Sequence, residues 1–212
     1  MSVRYVVTTG SVGAGATTVA GVIAANWNAD SLLEGQIEQL NPFFIDAQQD
    51  PARWGFASQA HFLAASADRH ATLDRMLNDT DADFIVEDRT PFEHHGAYSM
   101  ANYALGSLSE REFVLLEALA REIEKQYKVP DLLIYREMTD KQLIERVLDR
   151  GREGEAADAE RLRAFHRAFE EFADSWDRSA VVRVPAELDV KSPEGEAELV
   201  ELLTPYLGAP LR

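Results

Sequence analysis

The sequence predicts an α/β fold, a three-layer sandwich in which a parallel sheet of about five strands carries helices on both faces. Short β-branched and aromatic runs at residues 4–9, 84–86, 132–135 and 180–184 are typical of buried strands. Long segments with helical spacing of apolar residues separate these runs. Strands separated by helices pair in parallel through right-handed crossovers, so the alternation itself indicates the architecture.

Each element follows from its local pattern. The first strand ends in a glycine-rich loop, and the next segment, residues 17–27, places Val19, Val22, Ile23 and Trp27 on one helical face. The strands at 84–86 and 132–135 are bounded by aspartate and proline signals. Linkers, repeats and low-complexity tracts are absent from the sequence, which predicts a single domain over 1–212 with a polar loop, or lid, at about 150–156.

The composition excludes several classes of function. With 21 basic and 37 acidic residues the formal charge is −16, whereas a protein that tracks a nucleic-acid backbone needs a basic surface. The chain contains no cysteine, which excludes disulfides, thiolate zinc sites and cysteine nucleophiles and favours a reducing compartment. Neither a signal peptide nor a membrane-spanning run of about 20 apolar residues is evident. We therefore expect a cytoplasmic protein without a nucleic-acid or membrane partner.

The glycine-rich loop, residues 10–17, fits the phosphate-binding P-loop pattern G-x-x-x-x-G-K-[ST] except at Ala16, where the pattern requires lysine. In such a loop, backbone N–H groups and a helix N-terminus bind phosphate oxygens, and the hydroxyl of the last residue, here Thr17, binds Mg²⁺. The predicted phosphate-binding residues are Gly10, Gly13, Ala14, Gly15, Ala16, Thr17 and Thr18. A turn without a ligand is the alternative.

Two further segments carry charges suited to phosphate chemistry. Asp88 and Arg89 follow the strand at 84–86, whose end lies at the same edge of a parallel sheet as the loop. Arg146 and Arg150 share a helix face, and Arg152 follows after a glycine. Taken alone, the first segment also fits a helix cap with an ion pair, and the second also fits a solvated helix end.

In this order, the segments resemble the deoxynucleoside kinase family of P-loop phosphotransferases. The resemblance runs from about residue 4 to about 178 and includes residues 34–36, 41–44, 50–59, 130–135 and 150–152. It implies transfer of the ATP γ-phosphoryl group to the 5′-hydroxyl of a deoxynucleoside or related nucleoside, with ATP and Mg²⁺ bound. It also implies a homodimer, since an amphipathic helix such as that around Phe113 and Leu116 packs between subunits in the family.

The resemblance also implies residue roles. Glu34 would be the general base on the 5′-hydroxyl, and Arg89 would hold that base and the phosphate. Arg146, Arg150 and Arg152 would neutralise charge on the phosphoryl group and the bound nucleotide. The predicted substrate contacts are Gln59 at the base edge, Trp54, Phe56 and Tyr98 around it, Gln48 at the sugar, Asp88 near the hydroxyl and Glu155 at the sugar 3′-hydroxyl.

The departures from the family pattern leave several points open. Gln48 replaces a usual tyrosine, Ser66 a usual arginine and His94 a usual aspartate, so the preferred base and sugar do not carry over. Ala16 is compatible with an engineered change, with a natural enzyme in which a lid arginine supplies the missing charge, or with a pseudokinase that binds nucleotide without turnover. A nucleoside monophosphate kinase is a further alternative. Adjacent His94 and His95 would point to different faces of a helix, and no third ligand is spaced to join them, which argues against a metal site there.

Overall fold

The computed structural model of the chain describes residues 4–33, 37–150 and 159–211. Five strands form one sheet with the order β2-β3-β1-β4-β5, and every neighbouring pair is parallel. The strands are β1 Arg4–Gly10, β2 Ala29–Leu32, β3 Phe84–Asp88, β4 Leu132–Arg136 and β5 Ala180–Val184. The predicted three-layer α/β class is confirmed.

Helices connect the strands and cover both faces of the sheet. None of the helices in the three described ranges has the length and apolar character needed to cross a bilayer. The helices are α1 Ala16–Asn26, α2 Ile37–Leu40, α3 Phe44–Gln49, α4 Pro51–Asp79, α5 Met100–Ala104, α6 Glu110–Glu124, α7 Asp140–Arg150, α8 Ala159–Asp174 and α9 Pro193–Leu207, and His94–Ser99 is a π-helical segment.

The alternation of side chains along the strands builds two cores. Val6 of β1 faces a cluster formed with α1 and α9, whereas its neighbours Tyr5 and Val7 face a second cluster formed with α4, the π-helical segment and α8. Both faces of the strands are therefore buried, as is usual in a parallel sheet. This burial explains why the central strands are continuous apolar runs in the sequence.

The four strands expected from the sequence are present, and β2 was missed. Its four residues include Asp30 and Ser31, both exposed, so the segment has neither an apolar run nor a buried alternation. It lies at the edge of the sheet and pairs only with β3. Its place is therefore set by tertiary pairing rather than by strand propensity.

Helix α6 contains the amphipathic pattern that the sequence shows around Phe113 and Leu116. Leu116 and Ala120 are buried against the molecule, but Val114, Leu115 and Leu119 are 54%, 50% and 41% exposed. The elements that pack against α6 are α4, the π-helical segment and α5, and they leave the side with Val114, Leu115 and Leu119 exposed. An apolar stripe therefore remains at the surface.

Candidate active site

The carboxyl ends of the central strands bring the first two motifs together. In the parallel register, Thr8 of β1 lies beside Asp88 of β3, and Gly10 lies beside Arg136 of β4. The glycine loop and the Asp88-Arg89 segment therefore lie next to each other at one edge of the sheet. This edge is where open α/β sheets bind their ligands.

The glycines of the loop meet specific steric demands. A Cβ on Gly10 would lie 2.8 Å from the backbone oxygen of Arg136, too close for any side chain. Gly13 and Gly15 have φ angles of 82° and 92°, in the left-handed region where glycine is favoured. Gly15 caps α1, so the first N–H groups of that helix, which have no intrahelical partner, open onto the loop. This backbone cradle suits phosphate oxygens.

A hydroxyl and a carboxylate meet beside the loop. Thr17 donates a hydrogen bond of 2.6 Å to Asp88 Oδ2. The other carboxylate oxygen, Oδ1, is buried and has no hydrogen-bond partner among the described residues. Hard oxygen ligands of this kind fit Mg²⁺, which binds few protein carboxylates and completes its shell with phosphate and water. Thr18, the next residue along α1, has its backbone N–H bonded to Gly15.

The arginine Arg146 of α7 contacts the loop directly. Its Nη1 donates a hydrogen bond of 3.0 Å to the backbone oxygen of Ala14, and it lies 3.5 Å from the position of a Cβ added to Gly15. Within the described part of the chain, Arg146 forms no ion pair with a carboxylate. A guanidinium charge is therefore held at the loop two residues from Ala16, where the motif requires lysine.

Arg89 joins the third strand to the loop. Its backbone has a φ of 70°, unusual for a residue with a side chain. Its Nη1 donates to the backbone oxygen of Gly10 and to Glu93 Oε1, each at 3.0 Å. The guanidinium also lies 5.8 Å and 5.6 Å from the ring centres of Tyr98 and Phe169. These contacts fix the charge at the edge of the sheet.

Sequence reasoning missed Glu93, the partner of Arg89. Glu93 is fully buried and also accepts a hydrogen bond from the hydroxyl of Thr9 on β1. Burial raises the pKa of Glu93, and the Arg89 charge opposes that rise. The spacing of four residues from Arg89 was the signal that could have found it.

A second buried ion pair, which the sequence analysis also missed, lies at the carboxyl end of β3. Arg69 of α4 forms a 2.7 Å ion pair with Glu87, which is 1% exposed and also accepts a hydrogen bond from the Tyr5 hydroxyl. Burial raises the pKa of Glu87 and of Tyr5. No local spacing connects Arg69 with Glu87, so the sequence offered no signal for this pair.

The predicted substrate-side residues lie mainly on α4. Gln59 is buried and its Oε1 accepts a 3.4 Å hydrogen bond from Ser99 of the π-helical segment. Trp54 stacks on Phe43 with ring centres 5.9 Å apart, and Phe56 is half-buried on the same helix. Gln48 is half-buried at the end of α3, which packs against α4.

Ser66 and His94, which replace the arginine and aspartate usual in the family pattern, carry neutral groups. Ser66 is buried and donates a hydrogen bond to the backbone oxygen of Phe62. His94 stacks between Phe62 and Tyr98, with centre distances of 6.0 Å and 5.9 Å. Burial, and then the charges of Arg89 and Arg69, lower the pKa of His94 to about 3, so its imidazole is uncharged near neutral pH.

Several predicted positions fall outside the described part of the chain. Glu34, Arg152 and Glu155 belong to this group, as does the predicted lid at about 150–156 apart from the end of α7. The side chain of Arg150 is also not described. In residues 4–33, 37–150 and 159–211, no group of three or more histidine, aspartate or glutamate side chains is arranged to hold a metal ion by itself.

Comparison with known proteins identifies a family through a family model that matches most of the chain. Residues 6–205 match the family model described as deoxynucleoside kinase. The chain is 25% identical over 175 residues to a deoxyadenosine kinase of Dictyostelium discoideum, covering 82% of this chain and 68% of that protein. It is 27% identical over 148 residues to a deoxyadenosine/deoxycytidine kinase of Bacillus subtilis (strain 168), covering 69% and 65%.

Solved structures support the fold. The deoxyadenosine kinase from M. mycoides with bound dCTP superposes with a TM-score of 0.78 at 23% identity, over 95% of this chain and all of that one. The same enzyme with bound dATP gives 0.77 at 24% identity, over 97% and 100%. At this level of identity the superposition establishes the architecture of the sheet and its helices.

Proposed function

The chain belongs to the deoxynucleoside kinase family, and on that premise we propose that it transfers the γ-phosphoryl group of ATP to the 5′-hydroxyl of a deoxynucleoside. The observation that carries the proposal is the convergence of the phosphate loop, the Thr17–Asp88 pair and Arg89 at one edge of the sheet. Such transfer depends on positioning and electrostatics, which this edge supplies. We also propose the cytoplasm, the location that the sequence predicts, as the place where this reaction occurs.

The proposed reaction assigns a task to each group. The amides of the loop would bind the ATP phosphates, and Thr17 and Asp88 would hold Mg²⁺, which would neutralise phosphate charge. Glu34 accepts the proton of the 5′-hydroxyl, whose oxygen forms the new bond to the γ-phosphorus. The bond from that phosphorus to the bridging oxygen of ADP breaks. Arg89, together with Arg146, Arg150 and Arg152, stabilises the charge that develops during transfer.

The nucleoside would occupy the side of the edge lined by α4 and the π-helical segment. Gln59 would hydrogen-bond the base, with Trp54, Phe56 and Tyr98 near it, Gln48 at the sugar and Glu155 at the 3′-hydroxyl. Ser66 is a buried residue with an uncharged hydroxyl, and the imidazole of His94 is uncharged near neutral pH. The base would therefore be read by neutral groups rather than by an ion pair. Deoxyadenosine and deoxycytidine are the first acceptors to test, since relatives of this chain are named for them.

The proposal is tested by incubating the chain with Mg-ATP and a panel of nucleosides, deoxynucleosides and their monophosphates, with mass spectrometry of the products. We expect a deoxynucleoside 5′-monophosphate, and we expect Asp88→Asn to reduce the rate strongly. Asp83→Asn, an exposed aspartate one residue before the same strand, is the matched control. Absence of any product would contradict the proposal and leave nucleotide binding without turnover, whereas diphosphate products alone would indicate a monophosphate kinase.

Ala16 is compatible with activity if Arg146 supplies the charge of the missing lysine. The support is the 3.0 Å hydrogen bond that holds the Arg146 guanidinium on the loop, and the lack of any carboxylate paired with it in the described ranges. A fixed cation of this kind is worth roughly 10² to 10³ in rate. The chain would then be an active enzyme in which the positive charge that neutralises the ATP phosphates comes from α7 rather than from the loop.

A double-mutant cycle tests whether Arg146 supplies the charge of the lysine that is missing at position 16. Arg146→Gln is expected to lower kcat by about 10²-fold, and Ala16→Lys is expected to change the rate of the unmodified chain little but to restore part of the loss in Arg146→Gln. Lys141→Gln, at an exposed site on the same helix, is the control. Additive effects of Ala16→Lys and Arg146→Gln would show that the two positions act independently.

The exposed apolar stripe supports a homodimer. Val114, Leu115 and Leu119 of α6 lie at the surface, as do Met100 and Tyr103 of α5, which packs against α6. A second copy of the chain would bury this patch.

Leu115→Glu is expected to convert the dimer to a monomer in size-exclusion chromatography with light scattering. Val129→Glu, at an exposed apolar residue in the loop before β4, is the control, and an unchanged mass for Leu115→Glu would place the interface elsewhere.

A further inference from the structure

The Arg69 guanidinium is the centre of a hydrogen-bonded unit between two strand ends. Its Nη2 donates to the backbone oxygens of Leu32 at 2.6 Å and Asp88 at 2.9 Å, and its Nη1 donates to that of Leu33 at 2.8 Å. Its Nε donates to Glu87 at 2.7 Å. One side chain of α4 therefore binds the carboxyl end of β2 and the carboxyl end of β3 at once.

The geometry of this unit requires an arginine. The guanidinium presents five donors in a rigid plane, so it can reach three carbonyl oxygens and a carboxylate together, whereas a lysine ammonium has three donors at one point. Glu87 balances the charge, and the Tyr5 hydroxyl holds the second oxygen of that carboxylate. Only 14% of the Arg69 side chain is exposed, so these contacts, rather than hydrogen bonds to water, hold it in position.

The strand ends that Arg69 joins both lead to reactive groups. β2 is an edge strand of four residues that pairs only with β3, so its end has a neighbouring strand on one side only. Leu33 is followed in the sequence by Glu34, the base of the proposed reaction. Asp88, whose backbone oxygen Arg69 binds, carries the carboxylate that meets Thr17.

We propose that Arg69 is a positioning residue for phosphoryl transfer, which fixes the carboxyl ends of β2 and β3 relative to each other and so sets the distance between the acceptor side and the phosphate side of the site. The inference rests on the proposed function. In the proposed reaction, Arg69 does not contact the reacting atoms. A misplacement of about 1 Å in such a site costs on the order of 10²-fold in rate, which is the scale of effect expected.

The test compares Arg69→Lys, which keeps the charge beside Glu87, with Arg69→Gln, which removes it. Both are expected to lower kcat by about 10- to 100-fold at a temperature well below their melting transitions, while the KM for ATP stays within about twofold because the loop is untouched. Hydrogen exchange is expected to accelerate in residues 29–33. Arg75→Gln, an exposed arginine on the same helix, is the control for which neither value changes.

The outcomes separate this inference from the proposed function. If the unmodified chain transfers phosphate and Arg69→Lys retains its kcat, with only its melting temperature lowered, Arg69 is structural and the inference is overturned. A rise in the KM for ATP as large as the fall in kcat would also overturn it, because the effect would then lie at the phosphate loop. If the unmodified chain forms no product, the proposed function itself fails, and the inference fails with it.

Discussion

Two buried units of the same design lie at neighbouring strand ends. Each consists of a hydroxyl from β1, a fully buried glutamate and an arginine that also binds backbone oxygens. The units are Tyr5–Glu87–Arg69 and Thr9–Glu93–Arg89. The hydroxyls of Tyr5 and Thr9 lie on the same face of β1, four residues apart, since side chains alternate along a strand.

The units differ in the sequence distance between their charges. Arg89 and Glu93 are four residues apart, and the arginine binds the loop through Gly10. Arg69 and Glu87 are 18 residues apart on different elements, and the arginine binds β2 and β3 instead. The same physical arrangement is therefore local in one case and entirely tertiary in the other. In the proposed reaction, the first unit serves the phosphate side and the second holds the acceptor side in place.

The largest effect is expected at the phosphate side. Arg89→Lys replaces the guanidinium, whose Nη1 donates to both Gly10 and Glu93, with a shorter side chain that lacks its planar set of donors, so we expect kcat to fall by about 10² to 10³. Steady-state kinetics with saturating ATP and acceptor measure this, with the exposed Arg167→Lys as the control. The two units would be functionally reversed if Arg69→Lys proved more damaging than Arg89→Lys.

The next effect concerns pH and the two glutamates. Burial raises both pKa values above the usual 4.5, so the folded state binds these protons more tightly than the unfolded state. Their contribution to stability is complete below pH 4.5 and is lost as pH rises, by up to about 1.4 kcal/mol per pH unit for each group. Relative to the unmodified chain, Glu87→Gln and Glu93→Gln should therefore gain stability as pH rises.

Urea unfolding at several pH values between 5 and 7 measures this difference. A constant difference between variant and unmodified chain across the range would show that the glutamates ionise in the folded state as they do in the unfolded one. A larger slope for one variant would identify the unit in which the arginine compensates the carboxylate less well. Each unit is thereby assigned its own slope of unfolding free energy against pH.

A smaller effect is expected for the hydroxyls. Tyr5→Phe and Thr9→Val preserve shape but leave a buried carboxylate oxygen without its donor, which costs about 1 to 3 kcal/mol of unfolding free energy. Tyr206→Phe, at a tyrosine 41% exposed, should change stability by less than about 0.5 kcal/mol. Equal values for Tyr5→Phe and Tyr206→Phe would mean that the hydroxyl of Tyr5 contributes nothing to its unit.

The smallest effect is expected on the pKa of His94, which the charges of both arginines lower. Burial lowers its pKa most, followed by the charge of Arg89 and then that of Arg69. Arg89→Met should therefore raise the pKa of His94 more than Arg69→Met does. Titration of the imidazole signals by NMR measures both shifts. The reverse order would place the Arg69 charge nearer to His94 in solution than the structure does.

The sequence predicted the phosphate side better than the acceptor side. The loop, Asp88, Arg89 and Arg146 follow from short motifs whose spacing is dictated by one turn or one helix face, and the structure brings these residues together. Arg69, Glu87 and the strand β2 were missed. Their contacts join segments that lie far apart in the chain, and no local pattern marks them.

By itself, the sequence determined the parallel α/β class, because continuous apolar strands alternate with helices, which connect parallel strands and cover both faces of their sheet. It also determined the phosphate loop, because close approach of Gly10 to β4 and positive φ angles at Gly13 and Gly15 require glycine. Only the tertiary structure decided which buried carboxylate pairs with which arginine. A charge can be buried only where partners from several elements meet, and that meeting is a property of the packed molecule rather than of any segment.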